Sequence, residues 1–404
     1  MTPGTGGARP RVRIGVVGAG LMGRELAGVG GRWPTLVDSP VTPELTAVCD
    51  VSEPARDWFR RVASVRVLTG DHRVLLDSGE VDVIYLAVPH HLHEQLYLDT
   101  VAAGLDLLGE KPFGIDPAAA GAVVAAIESA GVFARCSSEM PYFPGAQRAY
   151  RTVASGSLGR IVEARFAFLH SSDLDPAKPG NWKRRTRTCG QIGVMGDLGM
   201  HVAHVPLRLG WLPTSVHAVL QDLVPVRPDG RGGEMPCDTI DNATLTCRVG
   251  SGAGEFPMTW ETKRIAPGEM NTWSMRVLGM SGGVEFSTRH PQAVRFMRVV
   301  DGEQVWQEVQ VGSRSSAPTV TGAIFEFGFA DALLQMWAAY LAERAGALGE
   351  GFGCATPREA LTSHLVFDAA LRSAATRAEA ALPPAGGPYR RHTAADVAGV
   401  LGRS

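Results

Sequence analysis

The chain has 404 residues, with 39 Lys and Arg against 41 Asp and Glu, a formal net charge of −2. That length predicts two to three domains, and the balanced charge argues against a general role on nucleic acid or a membrane surface. Hydrophobic residues are 45 % and charged residues 20 %, an ordinary globular balance, and no apolar run approaches the ~18 residues that a membrane span needs.

Residues 1–10 contain no apolar core and read as a short disordered leader, not a signal peptide. A strand at 12–17 then delivers Gly18-x-Gly20-x-x-Gly23. In a dinucleotide site Gly18 permits the tight turn, Gly20 lets backbone approach a pyrophosphate, and Gly23 lets the next helix pack on the strand. The helix opening at Leu21 and Met22 would offer that anion its unpaired N–H groups. The pattern alone is weak, because the chain holds 48 glycines and Gly28 to Gly31 form a glycine-rich run with no motif. A second strand, 45–49, ends in Asp50, whose carboxylate would accept from a ribose 2′-hydroxyl and favour NAD. The plainer reading is that Asp50 caps a loop. Arg56 nearby would suit a 2′-phosphate, so NADP stays open. The spacing from Gly23 to Asp50 exceeds the usual ~20 residues, which a loop insertion from Trp33 to Pro43 explains.

Helices at 21–29, 53–63, 72–78, 93–103 and 117–130 alternate with strands at 12–17, 45–49, 82–88, 105–109 and 132–136. This alternation implies a doubly wound parallel α/β sheet over 11–136. The pattern then changes. After a helix at 144–155, strands are expected at 161–170, 215–224, 242–249, 256–263, 274–278, 294–300 and 305–311. They imply a second α/β domain over 137–404, with a large, open, mostly antiparallel sheet. Helices 197–209, 322–345 and 357–381 would cover one face. The stretch 171–195 is too long for a connector and reads as a substrate loop. The tail from Pro383 is Pro/Gly-rich and then a short helix. Six cysteines, with no CxxC pair, read as free thiols in the cytoplasm.

Three segments carry chemistry. Glu110-Lys111-Pro112 follows a strand of the parallel sheet, where strand ends open into a ligand crevice, and Lys111 could bind a substrate hydroxyl there. A surface lysine in a turn is the plainer alternative. Asp197 and His201 are spaced i, i+4 on one helix face. The helix dipole would keep the imidazole neutral while Asp197 holds one tautomer, which suits a general base. An N-cap aspartate and a core histidine would give the same pattern. Pro89-His90-His91-Leu92-His93 closes the central apolar strand, where it would meet a nicotinamide ribose or the substrate. His201 with His204, or the 90–93 histidines, lack further ligands at credible spacing, so no metal is expected. Trp182, Trp211, Trp260 and Trp273 offer stacking faces for a sugar, or simply fill the core.

In order, Gly18-Ala-Gly-Leu-Met-Gly23, Cys49-Asp50, Ala87-Val-Pro-His-His-Leu-His93, Glu110-Lys-Pro112, Gly156-Ser-Leu-Gly159 and Asp197-Leu-Gly-Met-His201 resemble the Gfo/Idh/MocA oxidoreductase family. The resemblance implies a Rossmann domain, bound NAD(P) and hydride transfer at a secondary hydroxyl of a sugar, inositol or glycoside. It implies Lys111, Asp197 and His201 as catalytic residues. Cofactor contacts are expected from Gly18, Gly20, Leu21, Met22 and Gly23, and from Asp50, Pro89, His93, Glu110 and Lys111. Substrate contacts are expected from His90, Trp182 and His204. The partner is then a small carbohydrate or polyol, with neither nucleic acid nor membrane, and the assembly a homodimer or homotetramer. The chain departs from the family pattern at Val88-Pro-His-His91, at Ser138-Glu139-Met140, at Cys189–Gly196 and at His204. Two other readings stand beside this one: glycoside cleavage through a transient keto-sugar that recycles NAD, and a non-catalytic nucleotide-sensing regulator.

Overall fold

The computed structural model describes residues 9–383 except 251, together with 388–393, 396 and 400. The expected leader and tail helix fall largely outside these described residues.

Six parallel strands form the first sheet: β1 (Arg11–Val17), β2 (Thr42–Cys49), β3 (Val67–Thr69), β4 (Val83–Leu86), β5 (Asp106–Gly109) and β6 (Ala134–Cys136). Their order is β3-β2-β1-β4-β5-β6, the doubly wound arrangement with its chain reversal between β1 and β4. All four residues of β4 are buried, as expected for a strand covered on both faces. The connections are α1 (Leu21–Arg32), α2 (Glu53–Asp57), α3 (His72–Leu76), α4 (His93–Ala102) and α5 (Pro117–Ala130). The helix expected at 53–63 stops at Asp57 and continues as a 3₁₀ turn, Trp58–Arg61. Strand β3 was not anticipated, because three half-buried residues carry no periodicity.

Beyond α6 (Pro144–Ala154), the second sheet has nine strands in the order β16-β15-β14-β13-β7-β12-β11-β8-β17. They are β7 (Ile161–His170), β8 (Pro213–Gln221), β11 (Asn242–Val249), β12 (Phe256–Lys263), β13 (Asn271–Gly279), β14 (Gly282–Ser287), β15 (Ala293–Val300), β16 (Glu303–Gln310) and β17 (Ala380–Ala381). A separate hairpin pairs β9 (Val226–Pro228) with β10 (Glu234–Pro236). Among the described strands of this second sheet, only β7 and β12 pair in parallel, Trp260 opposite Phe166. This one pairing brings the C-terminal ends of two strands to the same edge. His170 and Arg264 thus become neighbours, and antiparallel β13 adds Asn271 opposite His170.

The stretch 171–195 contains a 3₁₀ turn, Trp182–Arg184, and the short α7 (Thr186–Cys189). α8 (Val194–Arg208) starts three residues earlier than expected and packs on β12 and β7. α9 (Phe329–Arg344) starts later than expected, since 322–328 is not helical. α10 (Pro357–Thr376) ends where Arg377 turns left-handed at φ 55°, and the chain then adds β17 to the sheet.

These last helices also return to the first sheet. Arg344 pairs with Asp106 at 2.7 Å, Arg135 pairs with Glu343, and the Cys136 N–H donates to the Ala355 carbonyl at 2.8 Å. α8 is fastened to α10 by Arg208, whose guanidinium grips both oxygens of Glu359 at 2.7 and 2.9 Å. Burial alone would raise the Glu359 carboxyl, but the Arg208 bonds outweigh it and hold the group down at about 2. A carboxyl lowered that far from 4.5 stabilises the fold above its unfolded pKa by about 3 kcal/mol, and the gain is lost as pH falls toward 2. Glu359→Gln is therefore expected to lose ~2–3 kcal/mol in urea unfolding at pH 7, with the deficit shrinking between pH 4.5 and 2.

Candidate active site

The glycine loop is built as its spacing requires. Gly18 has φ 104°, and a Cβ there would lie 2.2 Å from the Ala87 carbonyl oxygen. A Cβ on Gly23 would lie 2.2 Å from the Gly18 oxygen. At Gly20, which caps α1 with no side chain, a Cβ would meet nothing within 4 Å. The start of α1 thus faces open space with its first N–H groups uncapped, and Leu21 is 73 % exposed there. This cradle fits a pyrophosphate. Asp50 caps the turn, as its plainer reading held, but it does so beside Gly20: Oδ2 accepts from the Ala19 N–H and Oδ1 from the Ser52 N–H, both at 2.8 Å. Arg56 turns its guanidinium to the Asp50 backbone oxygen, at 2.5 Å.

A cavity of about 250 Å³ lies against this loop, with Met22 in its wall. Lys111 and Glu110 enter from the end of β5, Glu139 from the segment after β6, His170 and Arg264 from β7 and β12, Lys183 from the long loop, and Asp197 and His201 from α8. Three cations converge on one carboxylate. Lys183 Nζ lies 2.8 Å and Lys111 Nζ 3.3 Å from Asp197 Oδ1, and Arg264 Nε lies 3.5 Å from Oδ2. Burial alone would raise Asp197, but Lys183, Lys111 and Arg264 overcome it and hold the carboxyl well below its usual range. Burial would likewise lower Lys111, yet Asp197, Glu110 and Glu139 raise it, so the amine stays charged. Glu110 accepts from the Tyr85 and Ser137 hydroxyls, each at 2.6 Å.

His201 is 2 % exposed and held in place by its surroundings. Trp273 Nε1 donates to its carbonyl at 2.7 Å, and Phe168 meets the ring edge-on. Burial, then the charge of Lys111, push the imidazole well below its ordinary range, against a smaller upward pull from Asp197. The ring is therefore neutral at physiological pH. The helix dipole is not the main cause, since α8 begins seven residues earlier. Nor does Asp197 hold the tautomer, being occupied by cations. The ring's Nδ1 faces Ser138 Oγ at 3.4 Å and Glu139 Oε2 at 3.7 Å. Burial, then Glu110, push the Glu139 carboxyl up to about 7.

Other expected contacts sit elsewhere. His93 is buried, with Nδ1 2.6 Å from the Pro112 oxygen and Nε2 2.9 Å from the Val88 oxygen, so both ring nitrogens face backbone carbonyls and are turned away from the cavity wall. Pro89 opens the 3₁₀ turn His90–Leu92. His90 bonds the Cys189 oxygen at 2.9 Å and packs against Trp182, and neither ring is in the cavity wall. His204 is fully buried against Phe352, held down at about 3 chiefly by burial. Trp211, Trp260 and Trp273 pack against other rings and do not line the cavity. Among the described residues no cluster of His, Cys, Asp and Glu has metal-holding placement, and no helix is long and apolar enough to cross a membrane. Lys183, Arg264 and His170 were not singled out from sequence, and Glu139 was noted only within a departure from the family pattern. Their roles arise from strand pairing and from a loop without a motif.

With this geometry in view, two domain profiles match the chain: "oxidoreductase family, NAD-binding Rossmann fold" over residues 12–137 and "GFO/IDH/MocA C-terminal domain" over 146–285. The chain belongs to the Gfo/Idh/MocA oxidoreductases, and its first domain is their NAD-binding Rossmann fold. Among its relatives, levoglucosan dehydrogenase of Pseudarthrobacter phenanthrenivorans is 24 % identical over 291 residues, covering 68 % of this chain and 73 % of that protein. Mouse trans-1,2-dihydrobenzene-1,2-diol dehydrogenase is 26 % identical over 286 residues, covering 66 % and 81 %. A solved levoglucosan dehydrogenase in complex with NADH and levoglucosan superposes with a TM-score of 0.84 at 21 % identity, covering 93 % of this chain and 100 % of that one.

The loop separates stability from cofactor binding. Gly23→Ala is expected to destabilise the fold by ~1–3 kcal/mol through the clash with Gly18. Gly20→Ala should stay within about 0.5 kcal/mol of wild type in urea yet weaken NADH binding at least about tenfold by fluorescence titration.

Proposed function

We propose that the protein transfers a hydride between NAD and a secondary hydroxyl of a carbohydrate or polyol. The observation that carries this reading is the meeting of Lys111, Asp197 and His201 on one cavity wall beside the glycine loop. The chemistry a bound nicotinamide supplies is acceptance or donation of the hydride. Gly20 and the opening of α1 would hold its pyrophosphate. Asp50, both of whose oxygens are oriented by loop N–H groups, would take the ribose hydroxyls on its remaining lone pairs and repel a 2′-phosphate, which favours NAD over NADP.

The chain's own groups divide the remaining work. Lys111 donates to the substrate oxygen and stabilises the negative charge that develops as its proton leaves. The neutral His201 accepts that proton, and Glu139 behind Nδ1 favours the protonated ring when ionised. Asp197 keeps Lys111 charged and aimed. The loop Cys189–Gly196, one of the departures from the family pattern, contributes no residue to the cavity wall.

In an NAD-coupled assay over sugars and polyols, Lys111→Ala and His201→Ala should each lower kcat by at least ~10²-fold while NADH still binds. Near-wild-type turnover in both would defeat the assignment. Tight NADH binding with no turnover of any substrate would favour a sensor. The oxidation rate should rise with pH through about 7 as Glu139 ionises. Glu139→Gln should lower kcat and flatten that inflection, and an unchanged profile would remove Glu139 from the proton path.

A further inference from the structure

We propose that the substrate carries a carboxylate, so that the site takes a sugar acid in preference to a neutral polyol. The inference rests on the preceding reading that the cavity receives a carbohydrate hydroxyl, and it comes from the charges that remain once that hydroxyl is placed. Five basic side chains line the cavity, Lys111, Lys178, Lys183, Arg184 and Arg264, against four acids, Glu110, Glu139, Asp173 and Asp197. The excess is concentrated at Asp197, where one carboxylate faces three cations. Glu110 beside Lys111 is already engaged by two hydroxyls. Farther out, Lys178 and Arg184 share Asp173. Glu139 faces His201 and, when ionised, is the fourth acid of that count, leaving one positive charge in excess among the lining residues.

A second observation points the same way. Arg264 is 1 % exposed, and its Nε has no hydrogen-bond partner, only the Asp197 oxygen at 3.5 Å. Arg184 is 3 % exposed, and its Nε and Nη1 lack hydrogen-bond partners, with an Asp241 oxygen 3.8 Å from Nη1. Both of these guanidinium groups belong to the cavity wall, while Arg24, Arg185, Arg227 and Arg276 each leave a buried Nε without a hydrogen-bond partner elsewhere. A carboxylate supplies two charged acceptor oxygens in the geometry guanidinium groups match. It also brings one negative charge, against the one in excess. A phosphate monoester brings nearly two, and a neutral polyol none. Lys183, whose side chain is 34 % exposed, extends the positive region toward solvent.

The test pairs hexuronates and aldonates with their own methyl esters or amides, so that ring stereochemistry is constant and only the charge changes. With NAD and the intact protein, the acid of each active pair should show a kcat/KM at least about tenfold above its neutral partner. Added salt should narrow the gap. Lys183→Gln should narrow it too, mainly through KM. Equal or better turnover of the neutral partners, or preference for sugar phosphates, overturns the proposal. If nothing is turned over, the oxidoreductase reading fails separately. The acids are then titrated against the NADH complex by fluorescence: tighter binding of acid than ester by about tenfold keeps the anion site, and equal binding removes it.

Discussion

The buried charge of Asp197 is the constraint on which the rest of the site depends. A carboxylate this enclosed would protonate unless cations stood beside it, and cations this enclosed would be unstable without the carboxylate. Lys111 arrives from the first sheet, Lys183 from the long loop, and Arg264 from the second sheet. One side chain therefore joins three separate parts of the chain. Removing it would leave three positive charges facing each other in a poorly solvated space. Burial and then the charge of the Lys111 amine keep His201 neutral, against a smaller upward pull from Asp197, while Asp197, Glu110 and Glu139 keep that amine protonated. Acid and base roles are thus set by one electrostatic arrangement.

Much of the first domain was legible because its signals are local. Gly18, Gly20 and Gly23 act within six residues of one another, and apolar runs mark buried parallel strands directly. The second sheet was legible as a class from alternating strands. Its register was not, since the parallel pairing of β7 with β12 joins segments about 90 residues apart, and no sequence window of ordinary length contains both. Arg264 and His170 owe their place in the cavity to that pairing. Strands β3, β14 and β17 are short or glycine-led and carry too few residues to show a period.

The spacing of Asp197 and His201 illustrates a subtler limit. It placed both residues on one helical face, and both reach the cavity. It could not show that the carboxylate would be claimed by cations from elsewhere, nor that Glu139 would stand behind the ring. Histidine placement was harder still. His93 and His204 look alike in sequence to a working histidine, but one lies between two backbone carbonyls and the other against a phenylalanine.

The return of the last helices to the first sheet has a consequence for biosynthesis. The backbone that pairs with β6 at Cys136 is Ala355, about 220 residues further along, which at ribosomal speeds emerges some 10–45 s later. For that interval the outer edge of β6 lacks the backbone partner that Ala355 supplies. Such an edge is a template for pairing with other chains. The order in which this polypeptide leaves the ribosome thus leaves the edge of its cofactor-binding half open until the segment around residue 355 arrives to cap it.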